Sequence, residues 1–371
     1  LLNIPSKIVL RNQTAALDVK RTAGKVKSKL HGILVILKDN INTHPDLGMR
    51  SASGSFALKD ARPRENARFV DKIIAAGMII IGKANLSELS NFRGERLPSG
   101  WSAMGGQCQS AYVRGGVLPN DTKDGHSIDT FISTLLSGLV VVVSAGFSPL
   151  NIGTTTDGLL VCPAGRASLY TIKPTIGVVS QDGLIPISHT MDSAGRMGKT
   201  PYDIAVFLDI LREDGAPVCW KVQWQNFSVA AVNYTERIFP PTYMAPVESA
   251  TIEMNRQFQD AYDTLKVRAR KFSENVPLPK PELASVNDKD CKPMIMLNDF
   301  RHDFPKYLDS LEFAPIKSLQ ELIDFNREHA EVELPPGHAN QKVLEQAAEL
   351  NLTDSEYQEY LSKMRRVCQV A

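Results

Sequence analysis

The sequence predicts an α/β fold, built on a parallel or mixed β-sheet flanked by helices. Three observations carry this expectation. Residues 33–37 (ILVIL) form a continuous apolar run, which suits a strand covered on both faces. A helical segment follows around residues 70–76. Residues 78–81 (MIII) make a second buried strand closed by Gly82, and strand, crossover helix, strand at this spacing is the repeating unit of an α/β sheet.

Around that unit the other elements follow in order. Residues 1–29 read as helical, with apolar positions among Lys and Arg, and His31-Gly32 ends them. Residues 94–127 form a long Gly-, Ser- and Pro-rich stretch without periodicity, of the kind that often carries function. The longest apolar run, residues 135–145, is interrupted by Ser137, Gly138 and Ser144. It falls short of the ~20 residues of a spanning helix and reads as a core helix. A Thr-, Asp- and Gly-rich turn follows at residues 151–164, and a hairpin is expected around Asp182-Gly183. Beyond about residue 215 amphipathic helices are separated by proline: one over 247–274, one from Ser318 and one from Thr353. Glu321 and Glu356 stand three residues after those caps, as a capping box requires.

Composition excludes several functions. The 371 residues are 43% apolar and 22% charged, enough to bury a large core. Lys and Arg total 42 against 41 Asp and Glu, which leaves no basic footprint for nucleic acid and no polybasic membrane anchor. The expected partner is a small molecule or another protein. Cys108, Cys162, Cys219, Cys291 and Cys368 are odd in number and far apart, and the seven histidines show no metal-ligand spacing, so neither metal nor cofactor is expected. Six N-x-[ST] sequons, at Asn12, Asn85, Asn120, Asn226, Asn233 and Asn351, permit secretion as readily as a cytoplasmic setting.

Two places carry chemistry. Lys38 ends the first buried strand, where desolvation lowers an amine's pKa and makes it a candidate general base; an isolated strand-end lysine more often keeps its head in water. In the stretch NIGTTTDGLLVCPA, Thr156, Asp157 and Gly158 can turn consecutive N–H groups toward an anion, although an ordinary helix-capping turn has the same look.

Taken together, the blocks resemble one family. GILVILKDNI, IIAAGMIIIGKANLSELSNF, SGWSAMGGQCQSAYVRGGVLPNDTKDGHS, TTTDGLLVCPAGRASLYTIKPTIGVVS and PISHTMDSAGRMGKTPYDIA occur in the order of the amidase signature family, and the late stretch from Ser318 is also similar. These are serine hydrolases that include fungal amidases, fatty acid amide hydrolase and the amide-hydrolysing subunit of the tRNA-dependent amidotransferase. The resemblance implies a Ser-Ser-Lys triad on a mixed sheet. There the lysine takes a proton from a bridging serine, which activates a nucleophilic serine while backbone N–H groups hold the oxyanion.

By that resemblance Lys38 is the base, and Thr156, Asp157 and Gly158 form the oxyanion turn. The nucleophile position holds Leu159. The bridging-serine position holds Leu135 counted back from the turn and Ile132 counted forward from Gly125-His126-Ser127, a disagreement of about three residues that implies an insertion. Thr155 stands where the family has an acidic residue, and Arg196 where it has proline. Ser133, Ser137 and Cys162 are the candidate substitutes.

The expectation is therefore a protein of amide-hydrolase descent, binding an amide or acyl compound, whose Ser-Ser-Lys hydrolysis is lost or severely impaired. A non-catalytic binding protein or partner subunit is the alternative, as is an amidase with a rearranged nucleophile. The resemblance also divides the chain into a core at 1–215 and a helical continuation of the same domain at 216–371. It implies truncation at both ends, so that an exposed sheet edge would favour homo- or hetero-oligomers.

Overall fold

A computed structural model describes residues 1–95, 97, 99–112, 138–215, 223–236 and 247–369. The chain divides into two compact units. The first holds the described residues of 1–112, 138–215 and 296–351, the second those of 223–295 and 352–369. Residues 296–351 thus pack with the first unit.

In the first unit the strands β1 (Leu34–Lys38), β2 (Ile79–Ala84), β3 (Leu150–Thr155), β4 (Tyr170–Ile172) and β5 (Ser193–Gly198) form a sheet of order β2-β1-β3-β5-β4. β2 and β3 run parallel to β1, whereas β3–β5 and β4–β5 are antiparallel, so the sheet is mixed. Both apolar runs become neighbouring parallel strands, and the first extends one residue beyond its apolar run, taking Lys38 into the ladder opposite Ala84.

The N-terminal segment forms the helix α1 (Lys7–Thr22). Side-chain alternation covers both faces. Val35 and Leu37 pack with Ile80 and Ile152 against the helices α2 (Arg68–Ala75) and α5 (Pro201–Leu211), through Phe69, Ile73 and Phe207. Ile36 and Met197 join Leu139 and Val143 of α3 (Gly138–Ser144), with Leu160 and Ala164 at the start of α4 (Val161–Arg166). A separate core stacks Phe300 and Phe304 of α7 (Cys291–Ser310) on Phe92 and Leu58, together with Leu322 and Leu344. That cluster is the physical reason residues 296–351 belong with the sheet.

Local readings differ in instructive ways. Inside the stretch expected to be irregular, Trp101–Ser102 pairs antiparallel with Gly106–Gln107. The turn at Asp182-Gly183 does not close a tight hairpin; it lies in the long connection between β4 and β5, with Gly183 at φ 79° and its missing Cβ position 2.5 Å from Ala67 Cα. The outer edge of β2 is covered from the N-terminal end: Leu2 N–H donates to the Lys83 carbonyl and Lys83 N–H to that of Asn3, both at 2.8 Å. At the opposite edge Tyr170 and Ile172 of β4 are exposed.

In the second unit, Ser228–Ala230 and Lys271–Ser273 pair in parallel around the helix α6 (Glu248–Arg268). The helix expected over 247–274 therefore stops at Arg268, because the chain turns into a strand before the prolines are reached. Tyr262 meets Tyr234 and Phe272 edge to face. Thr353 and Glu356 form the full capping box there; in the first unit Ser318 caps its helix through Glu321 N–H, and the Glu321 carboxylate reaches Lys317 N–H instead. Among the described residues no helix is long and apolar enough to cross a membrane.

Candidate active site

The C-terminal ends of the parallel strands β1, β2 and β3 lie side by side, where α/β sheets place their ligands. Lys38 occupies that position and is 3% exposed. Its Nζ lies 2.8 Å from Ser90 Oγ, 2.9 Å from Thr154 Oγ1 and 3.4 Å from the Thr154 carbonyl. Asn40 Nδ2 donates to the same Thr154 hydroxyl at 2.8 Å, which holds β1 and β3 in register around the amine. Burial drives the lysine pKa from 10.5 to about 7, and the negative charge of Asp192 draws it partly back. A large fraction of Lys38 is then neutral at pH 7 and able to accept a proton.

The turn after β3 is pinned from both sides. Thr156 Oγ1 donates to Asp192 Oδ1 at 2.5 Å, and the other Asp192 oxygen accepts the N–H groups of Ile187 and Ser188. Lys173 Nζ donates to the Thr156 carbonyl at 2.9 Å, and Cys162 N–H to that of Gly158 at 3.0 Å. Gly158 adopts φ 74°, a left-handed conformation that costs a glycine nothing, so the chain reverses there into α4. Leu159 follows, half-buried. Burial raises the pKa of Cys162, and Asp157 raises it further, which keeps the thiol protonated at neutral pH and a weak nucleophile. Thr155 and Arg196 are buried in the sheet. Arg196 Nε donates to the Ile204 carbonyl at 3.0 Å, and desolvation lowers its pKa to about 9.

A family model, Amidase, matches residues 7–97 and 137–367. The chain belongs to the amidase signature family. It is 29% identical over 305 residues to a probable amidase of Arabidopsis thaliana, covering 82% of this chain and 56% of that relative. It is also 32% identical over 203 residues to a component of the glutamyl-tRNA(Gln) amidotransferase of Archaeoglobus fulgidus, covering 55% and 40%. The chain thus spans about half the length of the curated relatives it matches. Among solved structures, the native peptide amidase of Stenotrophomonas maltophilia superposes with a TM-score of 0.79 at 29% identity, covering 99% of this chain and 71% of that one.

On this amidase fold Lys38 ends β1, and Thr156, Asp157, Gly158 and Leu159 follow the end of the neighbouring strand β3. Leu135 and the candidate substitutes Ser133 and Ser137 lie outside the described residues. Two features are not legible in the sequence. Ser90 sits inside a block whose only signal is its resemblance to the family, and its contact with Lys38 spans 52 positions that no periodicity encodes. His189, Asp299 and Asp303 converge, with His189 Nδ1 2.8 Å from Asp303 and 3.6 Å from Asp299. Ser188 and Thr190 hydroxyls donate to Asp299 Oδ2 at 2.5 and 2.6 Å, which makes this a hydrogen-bonded cluster with Asp299 buried beneath an exposed His189.

Proposed function

We propose that this amidase-family chain binds an amide or acyl compound at the strand ends beside Lys38, and that hydrolysis through residue 159 is lost or severely impaired. The observation that carries the reading is Leu159: a hydrocarbon side chain directly after the Gly158 turn has no lone pair with which to form an acyl-enzyme. Support for retained binding comes from the turn itself, whose Thr156 side chain and whose Thr156 and Gly158 carbonyls are committed to protein partners, holding it in one conformation. Removing a member of such a triad leaves the share of catalysis that oxyanion stabilisation and binding supply.

The test is hydrolysis of an acyl 4-nitroanilide by the purified chain, with binding measured by calorimetry. Binding with turnover below about 0.01 s⁻¹, three orders under a typical kcat of ~10 s⁻¹, is expected. Turnover near 10 s⁻¹, or failure to bind at millimolar concentration, overturns the reading. The contact of Lys38 with a serine hydroxyl favours a second reading, a rearranged nucleophile.

A further inference from the structure

We infer that Ser90 is a substitute nucleophile, forming with Lys38 a Ser-Lys dyad that accepts an acyl group without any contribution from residue 159. The inference rests on the proposed reading that this site binds acyl compounds.

Geometry supplies the first argument. A neutral amine carries two N–H groups and one lone pair. Thr154 offers two acceptors to Lys38 Nζ, Oγ1 at 2.9 Å and the carbonyl at 3.4 Å. The third direction leads to Ser90 Oγ at 2.8 Å. The ammonium donates to Ser90 Oγ as it does to Thr154; once deprotonated, with both remaining N–H groups on Thr154, the amine turns its lone pair to the serine hydroxyl proton, the orientation a general base needs. The depressed lysine pKa supports this pairing, and Asp192 is the charged group acting on it.

Backbone conformation supplies the second. Leu89, Ser90 and Asn91 have φ of 46°, 54° and 67°, three consecutive non-glycine residues in left-handed geometry. Such strain persists only where the surroundings over-determine it, and it concentrates at functional sites. Here the surroundings do. Leu89 is 1% exposed and its N–H donates to the Ser53 carbonyl. Phe92 packs on Phe300 at 4.9 Å. Fully buried Arg93 donates to the carbonyls of Glu333 and His338, while Glu88 accepts Ala103 N–H. Ser90 itself is only half-buried, which leaves its hydroxyl approachable. A strained turn that pushes a serine out toward the strand ends is the logic of a nucleophile elbow.

The chemistry balances with groups present plus water. Ser90 Oγ attacks the amide carbonyl carbon as its proton passes to Lys38 Nζ. The C–N bond then breaks, Lys38 returns that proton to the departing amine, and an ester remains on Ser90. Water attacks the ester, gives a proton to Lys38, and releases the carboxylic acid as the proton returns to Ser90 Oγ.

A fluorophosphonate probe on the full chain, followed by tryptic mapping, decides it. The adduct is expected on residues 84–93 (ANLSELSNFR), with labelling at least a hundredfold slower in Lys38→Met. Ser87 shares that peptide, but its Oγ already accepts Gly100 N–H at 2.7 Å, so Ser87→Ala is expected to label normally. Ser90→Gly should lose the adduct while melting at or above the native temperature, since glycine relieves the left-handed backbone; this separates lost chemistry from lost folding. No adduct on folded protein, or an adduct on residues 124–166, which carry Ser133, Ser137 and Cys162, overturns the inference. Slow anilide turnover with an unlabelled Ser90 refutes the dyad alone; fast turnover with a labelled Ser90 refutes only the impaired-hydrolysis reading.

Discussion

The end of β1 and the turn after β3 are neighbours in the sheet, yet they are equipped in opposite ways. Around the Lys38 amine the hydrogen-bond partners are polar side chains: Ser90, Thr154 and, through Thr154, Asn40 close on one buried amine. In the turn the backbone is held rigidly through Asp192 and Lys173, but the side chain at its apex is hydrocarbon. On the proposed reading, a base and an anion cradle have outlasted the group that once linked them. The lesson is that the parts of a catalytic constellation have separate structural supports, so one can be replaced without dismantling the others.

The comparison is easiest to break at the lysine. Lys38→Met should abolish covalent labelling, by about a hundredfold or more, because it removes the proton acceptor and leaves the turn untouched. Labelling that survives in a folded Lys38→Met variant would mean the two regions do not cooperate with any base at position 38.

The pH dependence is the next largest effect. Labelling should rise with pH and level off above about 7, as Lys38 loses its proton. Asp192 favours the ammonium, so Asp192→Asn should move the inflection to lower pH; a shift upward would show that its charge does not reach the amine. Stability follows the same titration. The folded pKa, about 7, lies below the unfolded 10.5, so between those values the unfolded chain binds more protons and this group makes the fold more stable as pH rises. Below about pH 7 its contribution is flat, at its least favourable. Denaturant titrations from pH 6 to 10 should lose this slope in Lys38→Met.

Smaller effects sharpen the contrast. Ser90→Gly should stabilise by about 1 kcal/mol by relieving one left-handed residue, read as an increased urea midpoint at unchanged m-value. Leu159→Ala should cost about 1 kcal/mol, the low end for a leucine that is only half out of water; a loss of 3 or more would place this side chain among the core residues rather than at a turn.

How far the sequence reaches follows from the range of each interaction. Both apolar runs announced adjacent strands, and Lys38 and the Thr156–Gly158 turn were legible because strand burial and turn chemistry are written in consecutive residues. The caps at Ser318 and Thr353 were legible for the same reason. By contrast, ELSNF carries only the weak signal of Asn91, a residue type that tolerates left-handed geometry; nothing there shows that Leu89 and Ser90 turn left-handed as well.

By itself, then, the sequence determined the family, the α/β sheet and the hydrocarbon at residue 159. Tertiary structure alone decided that residues 296–351 pack with the sheet through Phe300 and Phe304, and that a serine from the connection after β2 meets the amine at the end of β1. Propensity and periodicity act over a turn or a strand. Which strand ends come together is set by crossover topology, and a 2.8 Å contact between residues 52 positions apart exists only once that topology has formed.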